Sequence, residues 1–117
     1  MLLRKYDVVI ANLDPTKGSE QKGIRPCLIF QNNIANEAKL NTTIVIPLTT
    51  SCKKTPSGIL IVPSKKNKLQ HKSRLELTQI RVIDKTRIIE KIGILDEQYY
   101  QELFQKTLNL FDLYDEF

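Results

Sequence analysis

Short stretches of alternating apolar and polar residues run along most of the chain and predict β-strands. Residues 6–13 alternate in this way and are rich in β-branched side chains, which favour extended backbone. The same criteria predict five further strands, at residues 26–31, 43–50, 58–62, 74–83 and 88–95. Pro47 lies inside the third of these strands and predicts an edge position or a bulge, because proline has no N–H to donate. The turn-rich segment 32–41 is compatible with a short helical stretch.

Near the end of the chain the apolar period changes from that of a strand to that of a helix. The repeat at i, i+3, i+4, i+7, i+8 and i+11 is carried by Tyr100, Leu103, Phe104, Thr107, Leu108 and Phe111. Asp96 is the predicted N-cap of this helix, and its apolar stripe is expected to pack on the strands. Short strands spaced roughly 8–12 residues apart, followed by one helix, indicate a mainly β fold with helices (α+β). We expect a small, strongly bent β-barrel with a C-terminal helix, in a single domain over residues 1–117.

Composition restricts the class of protein without changing this picture. The chain has 117 residues, of which 41% are hydrophobic and 26% charged, as in ordinary soluble domains. No apolar run approaches the ~20 residues needed to span a bilayer, and the first residues contain no apolar core of a secretory signal. The two cysteines, Cys27 and Cys52, lack the CxxC spacing of a metal or redox site. We therefore expect reduced thiols, a cytoplasmic location and no membrane association.

Charge is distributed unevenly along the chain. The formal net charge is +5, but residues 92–117 contain six acidic side chains and one basic one, whereas residues 52–74 contain seven basic side chains and no acidic one. Such a basic run is either a solvated lysine face or a surface for a polyanion such as nucleic acid. The single histidine, His71, excludes a histidine pair on zinc and a two-histidine acid–base couple.

The loop between the first two predicted strands carries the most chemical information. Gly18 and Gly23 allow backbone angles closed to other residues, so this loop can fold tightly. Arg25 precedes a proline, which favours extended backbone, and its planar guanidinium suits phosphate better than an ammonium group does. The alternative is structural, with Arg25 paired to Glu20 or Asp14 and tying the loop down.

This loop resembles the signature of the MazF/PemK toxins. The similarity is carried by Asp14-Pro-Thr, Gly18-Ser-Glu-Gln, Gly23 and Arg25-Pro, and residues 44–50 and 79–85 match the two other blocks of that family. The resemblance runs from about residue 4 to the final helix. It implies an SH3-like barrel of the MazF, CcdB and Kid type, assembled as a homodimer.

The resemblance also implies a function. Members are toxins of bacterial type II toxin–antitoxin systems and metal-independent endoribonucleases without a cofactor. They cut single-stranded RNA, chiefly mRNA, at short motifs by attack of the ribose 2′-OH on phosphorus, which leaves a 2′,3′-cyclic phosphate and a 5′-OH. The implied partners are this RNA and a cognate MazE-like antitoxin. Two other classes stay open: a non-enzymatic barrel toxin that binds a topoisomerase, and a plain nucleic-acid-binding module.

Carried over residue by residue, the catalytic pair is Arg25 and Thr49. Attack on phosphorus builds negative charge on the phosphoryl oxygens, which a fixed guanidinium stabilises. A guanidinium is a poor general base, so Arg25 is assigned mainly an electrostatic role and Thr49 the orientation of the phosphate. Taken alone, Thr49 also fits a residue that simply ends a strand. The residues do not identify the group that removes the 2′-OH proton.

Recognition of RNA sequence requires contacts to unstacked bases and to the backbone. The candidates for these contacts are Lys17, Ser19, Glu20, Gln21, Thr50, Lys53, Lys54, Gln79 and Arg81. His71 is expected to be a bystander. Glu76 and Thr78 stand where some family members have a catalytic Arg and Asp, which favours Arg25 with Thr49. The acidic end, residues 110–117, is expected to close the dimer or to shield the cationic groove.

Overall fold

The computed structural model describes residues 2–113, which form one branched antiparallel sheet and a C-terminal helix. The strands are β1 (Asp7–Asn12), β2 (Ile24–Ile29), β3 (Thr42–Thr49), β4 (Gly58–Ile61), β5 (Ser73–Glu76), β6 (Arg81–Asp84) and β7 (Ile88–Ile94). The helices are α1 (Asn33–Glu37) and α2 (Tyr100–Phe111), and 3-10 turns lie at Leu77–Gln79, Lys85–Arg87 and Glu97–Tyr99. Within these residues, no helix is long and apolar enough to cross a bilayer.

The sheet branches at β3. Its main path runs β4-β5-β3-β2-β1-β7, and β6 pairs with the first half of β3 while β5 pairs with the second half. Over residues 2–113 no pairing joins β4 to β7, so the sheet is bent and barrel-like but not closed. The predicted mainly β fold with a C-terminal helix is confirmed.

The branch explains two predictions that are wrong in detail. Residues 74–83 are not one strand, because the carboxylate of Glu76 accepts a hydrogen bond from the amide of Thr78 (3.2 Å) and starts a 3-10 turn there. β3 is an internal strand and its register with β2 is continuous through Pro47, so Pro47 is neither at an edge nor at a bulge. Pro47 is tolerated because it lies between the residues paired with β6 and those paired with β5.

The C-terminal helix is present, but its start and its buried face differ from expectation. α2 begins at Tyr100 after a 3-10 turn, and Asp96 makes no side-chain cap; its carboxylate instead accepts a hydrogen bond from Asn67 Nδ2 at 2.8 Å. Leu103 is fully buried in the larger apolar cluster of the core, whereas Phe104 and Phe111 are about half exposed. The predicted stripe therefore packs on the sheet along only part of its width. Of the acidic end, residues 114–117 lie outside the described residues.

Candidate active site

A tight hairpin connection between β1 and β2 positions Arg25. The amide of Leu13 donates to the carbonyl of Gly23 (2.9 Å), and the amide of Gly23 donates to Asp14 Oδ1 (3.1 Å). Gly18 and Gly23 have φ angles of +60° and +80°, which side chains disfavour, as the sequence predicted. Arg25 follows as the second residue of β2, opposite Ala11 of β1. Its backbone is therefore fixed by a strand rather than carried on the loop.

The guanidinium of Arg25 is held by neutral acceptors. Its Nε donates to the carbonyl of Lys22 (2.8 Å), and its Nη1 donates to Gln21 Oε1 (2.6 Å) and to the carbonyl of Leu48 (3.2 Å). No carboxylate of residues 2–113 forms an ion pair with it, so the expected alternative, pairing with Glu20 or Asp14, is wrong. The positive charge of Arg25 is thus oriented but not neutralised.

Arg25 lies on a groove with a volume of about 500 Å³, which we call the Arg25 groove. Its lining residues are Ile10, Ile24, Arg25, Pro26, Leu48, Thr49, Thr50, Lys68, Leu69, Gln70, His71, Ser73, Glu90 and Ile92. Apolar side chains from β1, β2, β3 and β7 and polar side chains from the end of β3 and the 68–73 connection therefore face one space. Such a mixture suits a ligand that has both flat apolar faces and charged groups.

Thr49 is the last residue of β3 and is half-buried on the wall of the groove. Its Oγ1 accepts a hydrogen bond from the amide of Ser51 at 3.3 Å. The Thr49 hydroxyl also has one hydrogen to donate. This hydrogen has no acceptor among residues 2–113. Thr49 therefore ends the strand, as the structural alternative required, and still presents a donor to the groove.

Gln79 and Arg81 support the hairpin and do not line the groove. Gln79 Oε1 accepts a hydrogen bond from the amide of Gln21 (2.9 Å), and Gln21 in turn accepts from Arg25. Arg81 Nη1 donates to the carbonyl of Leu13 at 3.3 Å. These two residues, predicted to contact RNA, are placed where they fix the position of Arg25.

The remaining predicted RNA contacts lie outside the groove, except for Thr50, which lines it. The hairpin tip exposes Lys17, Ser19 and Glu20, and Glu20 Oε1 accepts from the amide of Lys17 at 2.5 Å. Lys53 and Lys54 line a second cavity of about 240 Å³ between the β3–β4 loop and α2. The hairpin-tip residues, Lys53 and Lys54 therefore do not line the Arg25 groove.

Sequence reasoning missed the contribution of the 68–73 connection. Cys52 Sγ donates to the carbonyl of Lys72 (3.5 Å), and Ser73 Oγ donates to the carbonyl of His71 (2.8 Å). The first contact and the pairing of β5 with β3 hold the connection beside the end of β3, where His71 lines the groove. The available signal was a lone histidine within a basic run, but only the pairing of β3 with β5 shows where the run lies.

Arg74 and Glu76, on β5, form a second polar cluster behind the end of β3. Arg74 Nε lies 3.4 Å from Glu76 Oε1, and the carboxylate accepts hydrogen bonds from Thr55 Oγ1 (2.5 Å) and Ser57 Oγ (2.6 Å). Burial alone would raise the pKa of Glu76, but the hydrogen bonds from Ser57, Thr55 and Thr78 outweigh it and lower the pKa. Glu76 therefore stays ionised and fastens the β3–β4 loop.

No group of three or more His, Cys, Asp or Glu side chains among residues 2–113 could hold a metal ion.

Comparisons with known proteins identify relatives over nearly the full chain. Residues 4–111 match the family described as PemK-like, MazF-like toxin of type II toxin-antitoxin system. The endoribonuclease EndoA of Bacillus subtilis is 38% identical over 117 residues, covering 96% of this chain and 99% of the relative. The endoribonuclease MazF of Staphylococcus saprophyticus is 38% identical over 105 residues, covering 87% and 85%.

Solved structures show the same fold at lower identity. MazF from Deinococcus radiodurans superposes with a TM-score of 0.80 at 21% identity, covering 96% of this chain and 98% of that one. A mycobacterial endoribonuclease in complex with its cognate antitoxin superposes with a TM-score of 0.78 at 17% identity, covering 97% and 99%. The sheet and C-terminal helix described above are therefore the fold of these proteins.

Proposed function

We propose that this chain, which belongs to the PemK-like, MazF-like toxins of type II toxin–antitoxin systems, is a metal-independent endoribonuclease that cleaves single-stranded RNA, chiefly mRNA, at a short sequence motif. The 2′-OH of a ribose attacks the adjacent phosphorus, leaving a 2′,3′-cyclic phosphate and a 5′-OH end. Two relatives at 38% identity are named endoribonucleases, which supports this activity. The catalytic residues are Arg25 and Thr49.

The observation that carries the proposal is the guanidinium of Arg25, positioned by neutral acceptors at the edge of an open groove. As the 2′-oxygen approaches phosphorus, negative charge accumulates on the phosphoryl oxygens. A cation already in place stabilises that charge without having to reorganise. No carboxylate within residues 2–113 forms an ion pair with this cation. The hydroxyl of Thr49 donates to a phosphoryl oxygen and orients it.

The surroundings of the pair suit an extended RNA. The apolar lining of the groove, which includes Ile10, Ile24 and Pro26, takes the faces of unstacked bases. Lys17, at the hairpin tip, and Lys53 and Lys54, on the second cavity, contact backbone phosphates. Base edges are contacted by residues that are neighbours of the catalytic pair in the sequence, namely Ser19, Glu20, Gln21 and Thr50. Gln79 and Arg81 contribute indirectly, because they hold the hairpin that positions Arg25.

The partners and location follow from the same proposal. Two of the similar solved structures are MazE–MazF complexes from Deinococcus radiodurans. A MazE-like antitoxin with an acidic segment would occupy the Arg25 groove in place of RNA, since both are polyanions. The chain acts as a single-domain homodimer in the bacterial cytoplasm.

Incubation with a long single-stranded RNA in EDTA, followed by mapping of both new ends, tests the activity. We expect cleavage at a recurrent motif, 2′,3′-cyclic phosphate on the upstream product and 5′-OH on the downstream product. Cleavage that requires a divalent cation, or products with 5′-phosphate ends, would contradict the proposed chemistry. The absence of any new RNA end would favour the topoisomerase-binding or plain binding alternatives.

Thr49→Val provides a nearly isosteric variant for the same assay. It removes the donor but preserves the shape of the strand end, so we expect roughly a 10²-fold slower cleavage, the lower end of the range for loss of one such donor. Thr42→Val, at the opposite and exposed end of β3, is the matched control and should cleave at the wild-type rate. Equal rates for all three proteins would remove Thr49 from the site.

A further inference from the structure

We propose that His71 accepts the proton of the attacking 2′-hydroxyl, an inference that rests on the proposed ribonuclease function. The sequence pattern alone indicated a bystander. The structure instead places this side chain on the lining of the Arg25 groove, together with Arg25 and Thr49. The reaction needs a base, and Arg25 does not supply one.

The residues that follow His71 place it beside the end of β3. Ser73 Oγ donates to its carbonyl (2.8 Å), and Ser73 itself is buried as the first residue of β5. Pairing of β5 with β3 places Arg74 opposite Thr49. Cys52 Sγ lies 3.5 Å from the carbonyl oxygens of both Lys72 and Thr50, so this thiol joins the residue after His71 to the segment just beyond Thr49. His71 therefore directly precedes residues that are attached to the end of β3 by strand pairing and by the thiol contact, and its side chain is exposed.

The other titratable groups that line the groove suit this task less well. They are Arg25, on β2, Lys68, on the same connection as His71, and Glu90, on β7. Arginine and lysine side chains are cations at neutral pH and cannot take up a proton. Glu90 lies on β7, two strands away from the strand of Arg25, a separation of roughly 10 Å measured across a sheet. Histidine is the side chain whose ordinary charge change falls between pH 5 and 8, which suits proton transfer near neutrality.

In the proposed step, a nitrogen of the His71 imidazole takes the proton as the 2′-oxygen forms its bond to phosphorus. The bond from phosphorus to the 5′-oxygen breaks, and that oxygen leaves with the electron pair and takes a proton from solvent water. The imidazolium then returns its proton to the solvent. Arg25 stays protonated throughout and stabilises the phosphoryl oxygens.

The single histidine allows a test that does not depend on activity. In tag-free protein, the imidazole carbon-bound protons give an NMR signal that belongs to His71 alone. Titration with an RNA oligonucleotide that carries a 2′-deoxyribose at the cleavage position, and so cannot be cut, should shift this signal in Thr49→Val as well as in the wild type. An unchanged signal at saturating oligonucleotide would place His71 away from the bound RNA and overturn the proposal.

The kinetic test uses His71→Ala with pH–rate profiles of kcat and kcat/KM. We expect kcat to fall by roughly 10²–10⁴-fold with a much smaller change in KM, and the loss of activity at acidic pH to disappear from the profile. Added imidazole should restore part of the rate of His71→Ala, which a structural role would not allow. Lys65→Ala, earlier in the segment that joins β4 to β5 and outside the groove, is the control and should match the wild type.

Two results would overturn the assignment while leaving the ribonuclease function intact. The first is a His71→Ala protein that cleaves at the wild-type rate with an unchanged profile. The second is a profile in which Glu90→Gln, and not His71→Ala, removes the acidic limb, because the base would then be Glu90. A wild-type protein that produces no cyclic phosphate ends would instead refute the proposed function itself.

Discussion

Arg25 and Arg74 lie near the same strand end and differ in what holds them. Arg25 donates to the carbonyl of Leu48 and the amide oxygen of Gln21, both neutral, and lines an open groove. Arg74 stands opposite Thr49 with its side chain only 12% exposed, and its Nη1 also donates to neutral acceptors, the carbonyls of Ser51 and Lys53. What Arg25 lacks is the carboxylate of Glu76, which lies 3.4 Å from Arg74 Nε. A charge that is oriented but not cancelled can act on a ligand, whereas a cancelled charge serves the fold. The comparison distinguishes the functional arginine from the structural one.

The largest expected effect comes from removing the functional cation. Arg25→Ala should slow cleavage by roughly 10³–10⁵-fold, by analogy with the loss of an arginine that stabilises a phosphoryl transition state. Single-turnover rates at saturating enzyme measure this loss apart from any change in binding. The free energy of unfolding should fall by about 1–2 kcal/mol, because Arg25→Ala removes the hydrogen bonds to Lys22, Gln21 and Leu48 but breaks no ion pair in the described residues.

Arg25→Lys sharpens the same measurement. Lysine retains the charge but has one nitrogen in place of a planar fork, so it cannot keep the contacts to Gln21 and Leu48 while also reaching a phosphate. We expect it to recover only part of the lost rate. A lysine variant as active as the wild type would show that orientation of the cation is unimportant.

The second largest effect is on stability and concerns the structural arginine. Glu76→Ala leaves the guanidinium of Arg74 buried without its carboxylate and removes the acceptor of Thr55 and Ser57. Breaking a buried pair in this way costs about 3–5 kcal/mol of unfolding free energy. Chemical denaturation of the two proteins measures the difference.

The control is an exposed ion pair in the same molecule. Arg4 and Glu37 lie 3.0 Å apart with side chains 48% and 60% exposed, so Glu37→Ala should cost about 1 kcal/mol or less. If Glu76→Ala were no more destabilising than Glu37→Ala, the cluster around Arg74 would not be the structural element described here.

Much of the fold and part of the site could be predicted from the sequence. Strand period and turn residues are local signals, and they located the strands except at Glu76, where a side-chain contact breaks one predicted strand into two. Arg25 was identifiable because the hairpin that positions it is contiguous in sequence. His71 was not, since the pairing of β5 with β3 that brings it to the groove joins residues far apart in the chain.

A smaller effect is expected from making the environment of Arg25 resemble that of Arg74. Gln21→Glu keeps the length and shape of the side chain that accepts from Arg25 Nη1 at 2.6 Å, but adds a negative charge. A charged partner strengthens such a hydrogen bond by about 1 kcal/mol and repels the phosphate. Cleavage should therefore slow by about 10-fold, as measured by kcat/KM on a short RNA.

Gln21→Met separates the two causes in that experiment. Methionine is similar in size but neutral and a poor acceptor, so it removes the orienting contact without cancelling the charge of Arg25. Slower cleavage by Gln21→Glu than by Gln21→Met would attribute the loss to neutralisation. Equal losses would attribute it to the missing amide and weaken the distinction between the two arginines.

The smallest effect is the response of the structural cluster to acid. Hydrogen bonds from Ser57, Thr55 and Thr78 outweigh the cost of burial and hold the pKa of Glu76 below its usual value of 4.5. A carboxyl group with a lowered folded-state pKa contributes stability that is fully present above its unfolded-state pKa and is lost as the pH falls through the folded-state value. The unfolding free energy of the wild type should therefore decline more steeply below about pH 4.5 than that of Glu76→Gln, which has no proton to take up there.

Denaturation curves collected from pH 6 downward measure both slopes, and the remaining carboxylates cancel in the comparison because they are common to both proteins. Parallel curves would mean that Glu76 is not held ionised by its neighbours, and that the charge of Arg74 is cancelled less completely than its contacts indicate.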